Sequence, residues 1–395
     1  MGRYDFTLNT TPGAPMQDAP LPQEFRISLR GGNAVVTTGQ KLARFGRVGE
    51  PDSRLGPCTH TPIAGEVVKV DEQSVTVRSV PTSAHDEPAL DFSTLNRKDL
   101  EAALSTRGVD LRPLHRARRL VVNATPPEPD VTITGRLLHD FRDTLSRGLR
   151  LARQLVGPTQ VSVVGPDVDA SAFGNCEVVR PRPRHPNGMS PLVIKAATGR
   201  EQAQGVTVID LFQLMDLGRV YETGRPLIET FLTVQGRNMR AWAGTPLRHL
   251  LDAAQAVPAP GDRVVLGGPM RGLALADLSG GLRLEDYGLF VIHAGGQTPV
   301  RDAACLNCGQ CARHCPARLF PGELSMCAEA GLWERARSGH VLACFECGIC
   351  GYVCPARRPL LQYLQLAKKE LELSDAGLES DGPISASPPQ NAEEA

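Results

Sequence analysis

The sequence lacks any long hydrophobic run. No stretch of its 395 residues approaches the roughly 20 apolar positions a membrane-spanning helix needs. The opening MGRYDFTLNTTPGAPMQDAP has no hydrophobic signal core, so export by that route is not expected. Net charge is absent too: 43 Lys and Arg balance 43 Asp and Glu, which leaves no general field to gather nucleic acid. Several motifs are missing. VVGPDVDASAFG carries no G-x-G-x-x-G after its strand, and no P-loop, H-E-x-x-H or G-x-S-x-G occurs. These absences remove the dinucleotide fingerprint, the phosphate-cradling loop, the zinc hydrolase helix and the serine nucleophile elbow. Disorder throughout is excluded by the 41% apolar content, and the length admits two or three domains.

What is present is cysteine, unevenly placed. Of 11 cysteines, nine fall between Cys305 and Cys354. A disulfide framework would spread them through a short secreted chain. Two runs, CLNCGQCARHCP (Cys305, Cys308, Cys311, Cys315, Pro316) and CFECGICGYVCP (Cys344, Cys347, Cys350, Cys354, Pro355), each read C-x₂-C-x₂-C-x₃-C-P. That is the bacterial ferredoxin spacing for a [4Fe–4S] cluster, in which the fourth cysteine serves the other cluster. The expected ligand sets are Cys305, Cys308, Cys311 and Cys354 for one cluster, and Cys344, Cys347, Cys350 and Cys315 for the second. Zinc does not explain a third cysteine at x₂ spacing twice over, nor the proline. Gly309, Gly348 and Gly351 would let backbone N–H groups approach the sulfides. Cys327 reads as a buried helix cysteine, packing as a small hydrophobe; Cys58 and Cys176 read the same way, with surface reactivity as the alternative.

Ahead of the runs, VTTGQKLARF and TPIAGEVVKV read as the halves of a small β-sandwich. The turn TPIAG holds no lysine, and Lys41 and Lys69 lie beside or within strands, so a carrier role is not expected. LNRKDLEAALSTRG is a helix with Gly108 as its C-cap, RRLVVNAT a buried strand, and LLHDFRDTLSRGLRLARQLV one long amphipathic helix. Alternating strands and helices through residue 200 predict a layered parallel or mixed sheet. Arg180, Arg182, Arg184 and His185 could bind an anion or a partner carboxylate, although a solvated Pro-rich loop is the plainer reading. Strands around Phe231–Val234 and Arg263–Leu266 flank a helix around Pro246–Ala254 in a β-grasp pattern. GGPMRG, with no Lys or Ser at Walker spacing, is expected to fix domain packing rather than cradle phosphate. Between and after the cysteine runs, helical patterns carry Leu324, Cys327 and Ala328, then Leu360, Leu361, Leu364 and Leu371.

The order of these parts resembles the C subunit of the Rnf electron-transport complex. Related sequences are the cobalamin-reductase subunit of propanediol microcompartments and the flavin–NADH subunit of complex I. The resemblance rests on VTTGQKLARF, THTPIAGEV, VVNATPPEPDVT, HPNGMSPLVIKAATGRE, MDLGRVYETGRPLIETFLTVQG, GTPLRHLL, VVLGGPMRG and the cysteine runs, across about residues 30–370. It implies a multidomain α/β chain. Residues 1–24 would be a flexible arm, 25–85 a β barrel-sandwich, and 86–225 an α/β domain like the complex I flavoprotein. Residues 226–300 would be a β-grasp (SLBB-like) unit, 301–373 a helical two-cluster ferredoxin-like module, and 374–395 a disordered tail.

In that family the α/β domain holds FMN and accepts hydride from NADH. This chain departs from the pattern: Leu104–Leu120 has one glycine, Gly108, where the family has a Gly-rich loop. NATPPEPD keeps Asn123 and Glu128 but carries Thr125, Pro126 and Pro127 between them, and Asp210 stands where asparagine is common. FMN, and NADH with it, is therefore expected to be lost, although Arg107, Arg112, Arg116, Arg118 and Arg119 could still neutralise a phosphate. The function expected is an iron–sulfur subunit relaying single electrons through two [4Fe–4S] clusters within a multisubunit redox complex. It would lie in the cytoplasm or against the cytoplasmic face of the inner membrane. The alternative is an FMN-dependent NADH oxidoreductase with an altered flavin loop.

Overall fold

The helix and strand signals resolve into distinct sheets and a helical C-terminal region, a multidomain α/β architecture, in a computed structural model that describes residues 5–81, 88–92, 94–294 and 303–375. The chain divides into two units, Met1–Gln297 and Thr298–Ala395.

In the first unit, strict alternation in EFRIS points Phe25 and Ile27 inward from strand Glu24–Ser28. That strand joins Ser74–Ser79, Gly65–Val70 and Lys41–Leu42 in one antiparallel sheet. Asn33–Ala34, Arg47–Glu50 and Thr59–His60 form another. Val48, Val67, Val75 and Val77 complete the core, while Lys41 and Lys69 stay exposed.

Next come four parallel strands, Arg119–Asn123, Gln160–Val164, Glu177–Val179 and Val206–Asp210. The first strand in sequence lies between the second and the last. The period of two sends Leu120 and Val122 to one apolar layer and Val121 to the other, where Val193 and Ala197 of helix Ser190–Thr198 meet it. Helices Arg142–Val156 and Leu211–Thr223 cover the first layer. Leu145, Leu149, Ala152 and Val156 form the inward stripe of the first helix, which ends on left-handed Gly157. The single long helix expected over Leu137–Val156 is instead two, Ile133–Asp140 and Arg142–Val156. Phe141 breaks the run at φ −120°, ψ 35°, and its ring packs 5.1 Å from that of Phe231, a tertiary contact that periodicity does not record.

The fourth sheet has six strands in the order Gln17–Asp18, Arg237–Trp242, Glu229–Val234, Gly288–Ile292, Arg263–Leu266 and Leu273–Leu275. Helix Leu247–Ala253 buries Leu247, Leu250 and Leu251 against it. The sequence reading found two of these strands and the helix. The segment expected as a flexible arm is ordered from residue 5: Phe6 and Leu8 are buried, Phe6 to Leu8 bond the loop at Pro183–His185, and Gln17–Asp18 pair with the sheet edge. Asn238 donates its amide to the carbonyls of Pro12 (3.1 Å) and Ala14 (2.9 Å), which suits a Pro-rich stretch short of donors but not of acceptors. Cys58 is buried, and Cys176 is half-buried beside Arg153.

In the second unit, helices Pro321–Glu329, Trp333–Ser338 and Leu360–Asp375 share a core of Leu324, Cys327, Ala328, Ala336, Leu364, Ala367 and Leu371. Cys327 is thus a packing residue. The expected tail lies, from residue 376, outside the described residues.

Two glycines let the helices of the parallel layer cross closely. A Cβ on Gly148 would sit 2.0 Å from the Leu214 carbonyl oxygen, and one on Gly218 would sit 2.0 Å from that of Thr144. Both obstacles are backbone, so neither can swing aside. Gly148→Val is expected to cost about 3 kcal/mol by forcing the helices apart. Gly280→Ala, whose nearest obstacle is a Leu247 methyl at 3.9 Å, should stay within about 0.5 kcal/mol of the parent. Urea unfolding of the two variants checks the difference.

Candidate functional site

The two cysteine runs fold alike. In each, the residue before the second cysteine adopts a left-handed conformation, Asn307 at φ 50° and Glu346 at φ 57°. Gly309 (φ 71°) and Gly348 (φ 78°) then cap the one-turn helices Gln310–Arg313 and Ile349–Tyr352. After each Cys-Pro a third left-handed residue follows, Arg318 at φ 59° and Arg357 at φ 56°. Backbone N–H groups reach the sulfurs at matching places: Asn307 donates to Cys305 Sγ at 3.4 Å and Glu346 to Cys344 Sγ at 3.3 Å. Leu319 donates to Cys315 Sγ at 3.4 Å.

Cys305, Cys308 and Cys311 line a cavity of about 310 Å³ together with Cys354. Cys344, Cys347 and Cys350 line a much smaller recess together with Cys315. Burial raises the thiol pKa of Cys311, Cys344 and Cys350 and pushes that of Cys347 up to about 11.

The expectation of two [4Fe–4S] clusters, and with it the single-electron iron–sulfur relay, is corrected here. Among the described residues no group of three or more His, Cys, Asp or Glu side chains is placed to hold a metal ion. Ligation needs thiolates converging on a shared centre. The spacing of a run fixes each loop but not that convergence.

A second candidate lies in the first unit, at the carboxyl ends of the parallel strands. There the first and last strands are neighbours, and a crevice opens beyond their ends. The crevice measures about 400 Å³. Its floor includes Asn123 and Asp210, the last residues of those two strands. Asn123 donates to the Gly188 carbonyl at 2.8 Å and accepts from the Thr125 N–H at 3.1 Å. Asp210 caps helix Leu211–Thr223, accepting from the Gln213 N–H at 2.8 Å while Gln213 answers in a reciprocal box.

Glu128, beneath the crevice, is fully buried. It accepts from the N–H groups of Met270 (2.7 Å) and Arg271 (3.1 Å), from Arg271 Nε (3.1 Å) and from the Tyr287 hydroxyl (2.8 Å). Burial, and then the Glu128 charge, raise the Tyr287 phenol well above its usual pKa. The carboxylate packs against Gly268, where a Cβ would lie 2.2 Å from its carbon. The GGPMRG loop therefore folds its donors around a carboxylate of the chain itself, the packing role expected of it.

The arginines of Leu104–Leu120 do not line the crevice. Arg107 donates to the Gly224 carbonyl, Arg112 pairs with Asp110, and Arg119 bonds Gln160, Ser162 and the Ala197 carbonyl. The charged lining is instead Arg30 and Arg271 against Asp110, Asp210, Asp216 and Glu285. Sequence reasoning missed Thr134, Asp216 and Glu285, which come from elements distant in sequence and match no motif. In the Pro-rich loop, Arg180 donates to the Val168 carbonyl and Arg184 lies over the Phe6 ring.

No family model matches the chain. It is similar over nearly its whole length to curated proteins named as the C subunit of an ion-translocating oxidoreductase complex. The identity is 28% with that of Erwinia tasmaniensis, over 92% of this chain and 52% of the relative. With that of Pseudomonas aeruginosa it is 29%, over 90% and 53%. The chain thus spans about half the length of these relatives. This supports a broad likeness to these proteins. Among solved structures, an NAD⁺-reducing [NiFe]-hydrogenase in the air-oxidised state aligns with a TM-score of 0.42 at 15% identity, over 69% of this chain and 58% of that one. A score at that level does not establish a shared fold.

Glu128→Ala would strand four donors around an emptied position and should destabilise the protein by about 3–5 kcal/mol. Glu128→Gln keeps an acceptor but sets an NH₂ against the remaining donors, and is expected to lose about 2 kcal/mol. Chemical denaturation, followed by far-UV circular dichroism, orders the three proteins.

Proposed function

We propose that this chain is a peripheral subunit of a multisubunit oxidoreductase complex, in the position held by the relatives it resembles. The observation that carries this reading is similarity along about 90% of the chain to those proteins. Among the described residues no helix is long and apolar enough to cross a membrane, which fits attachment through other subunits. The surface that attaches is on the cytoplasmic side in this reading.

The duplicated cysteine module is its functional site: Cys305, Cys308, Cys311 and Cys354 form one set, and Cys344, Cys347, Cys350 and Cys315 the other. Two observations support the grouping, the lining of two separate recesses and the matched backbone of the two runs. Each set borrows one thiol from the opposite run, so neither half of the module is complete without the other.

Two measurements test this. A tagged full-length chain, isolated under mild conditions from membranes of its own host, should bring down membrane-embedded partners and be released by high salt. Recovery as a lone chain, even after cross-linking in the cell, would sink the subunit reading. In the isolated complex, Cys315→Ala and Cys354→Ala should each lower redox turnover with an artificial acceptor by roughly tenfold or more, and Cys176→Ala should leave it within about twofold. Full turnover in the first two variants would remove the module from the function.

A further inference from the structure

The crevice above the parallel strands has an acidic interior that the subunit reading does not use. Of its charged lining residues, four are carboxylates and two are arginines. The arginines are already engaged. Arg271 is held by Glu128, and Arg30 donates to the Gly108 carbonyl at 3.1 Å and lies 3.5 Å from Glu285. Asp110 is held by Arg112. Asp216, on the crevice-facing side of helix Leu211–Thr223, has no hydrogen-bond or ion-pair partner among the described residues.

A second observation is independent of this charge. Thr134 also lines the crevice, is 1% exposed, and its hydroxyl has no hydrogen-bond partner among the described residues. A buried hydroxyl left unpaired is costly, so a ligand that supplies its partner is favoured. Pro113, Met189, Leu211, Phe212 and Leu284 add apolar surface to the lining, beside the uncharged polar Asn123, Thr125, Ser190 and Gln213. No set of three acidic, His or Cys groups among the described residues is placed to hold a metal ion, which turns the choice toward an organic ligand.

We propose that the crevice binds a compact organic cation, an amine or amidine carried on an apolar body, whose N–H groups meet Asp216 and whose polar edge meets the Thr134 hydroxyl. Its volume of about 400 Å³ falls in the range of small-molecule sites. Phosphate-bearing ligands are disfavoured there by the excess of carboxylates.

The groups around Asp216 give the site a pH dependence. Burial raises the Asp216 carboxyl to about 7; Arg219 and Arg30 pull it down, and Asp210 and Glu285 push it up. A cation binds the ionised form. Affinity is therefore highest about a unit or more above pH 7 and falls as the carboxyl takes up a proton through that value.

The probe is benzamidine, titrated into the full-length chain by calorimetry, with benzoate and FMN as comparison ligands. One site is expected at about pH 8, weakening roughly fivefold or more by about pH 6. Asp216→Asn should weaken it by roughly tenfold, and nearly isosteric Thr134→Val by roughly threefold. Thr134→Val should also leave the unliganded protein at least as heat-stable as the parent, because it removes an unpaired hydroxyl. Should Asp216→Asn fail to fold, Thr134→Val together with the pH series decides. Absence of benzamidine binding at millimolar concentration, binding indifferent to both Thr134→Val and pH, or stoichiometric FMN that excludes benzamidine would each overturn the proposal. None of these outcomes bears on the subunit reading, which rests on partner recovery.

Discussion

The buried carboxylate of Glu128 is the constraint around which the first unit is arranged. An ionised group out of water is tolerated only when its oxygens are saturated with donors. Glu128 obtains four, three from the GGPMRG loop and one from Tyr287, just ahead of strand Gly288–Ile292. The carboxylate itself comes from the loop after strand Arg119–Asn123. One side chain thus ties the parallel layer to the six-stranded sheet. Gly268 has to be glycine because the carboxylate occupies the place of its Cβ. The same bonds hold Arg271 and Tyr287 in place at the crevice wall, so the shape of that crevice depends on them.

The sheet order has a similar consequence. Because the first parallel strand is central and the last is its neighbour, Asn123 and Asp210 end side by side although 87 positions separate them. Only one of the crevice's four carboxylates, Asp210, ends a strand; Asp216 comes from helix Leu211–Thr223, and Asp110 and Glu285 from separate stretches of the chain. The polarity of the site is thus decided by which elements pack across the mouth of the sheet.

The cysteine module shows how far local sequence can act. Two runs of identical spacing produce two loops with the same left-handed positions, the same one-turn helix and matching N–H contacts to sulfur. These are short-range consequences of glycine placement and chain geometry. Where the thiols lie relative to one another is a property of the helices between and after the runs. Leu324, Cys327, Ala336, Leu364 and Leu371 set that distance through their shared core.

The sequence by itself determined the elements whose signals are local. The alternation in EFRIS, the stripe in Arg142–Val156, the strand RLVVN and the glycine-marked cysteine loops all follow from the side-chain period or from a conformation only one residue type adopts readily. Only the tertiary structure decided the break at Phe141, whose ring is drawn to Phe231, and the start of helix Ile133–Asp140. That helix has no cap of its own and receives one from Thr233, whose hydroxyl accepts from the N–H groups of Thr132 and Ile133. The same is true of the N-terminal segment, held by Asn238, and of the crevice, where Thr134, Asp216 and Glu285 meet from three separate stretches. In each case the deciding partner lies far along the chain. A polar group's need to be paired, and an apolar ring's need to be covered, can be read from the sequence; the residue that meets the need is fixed only when the layers pack.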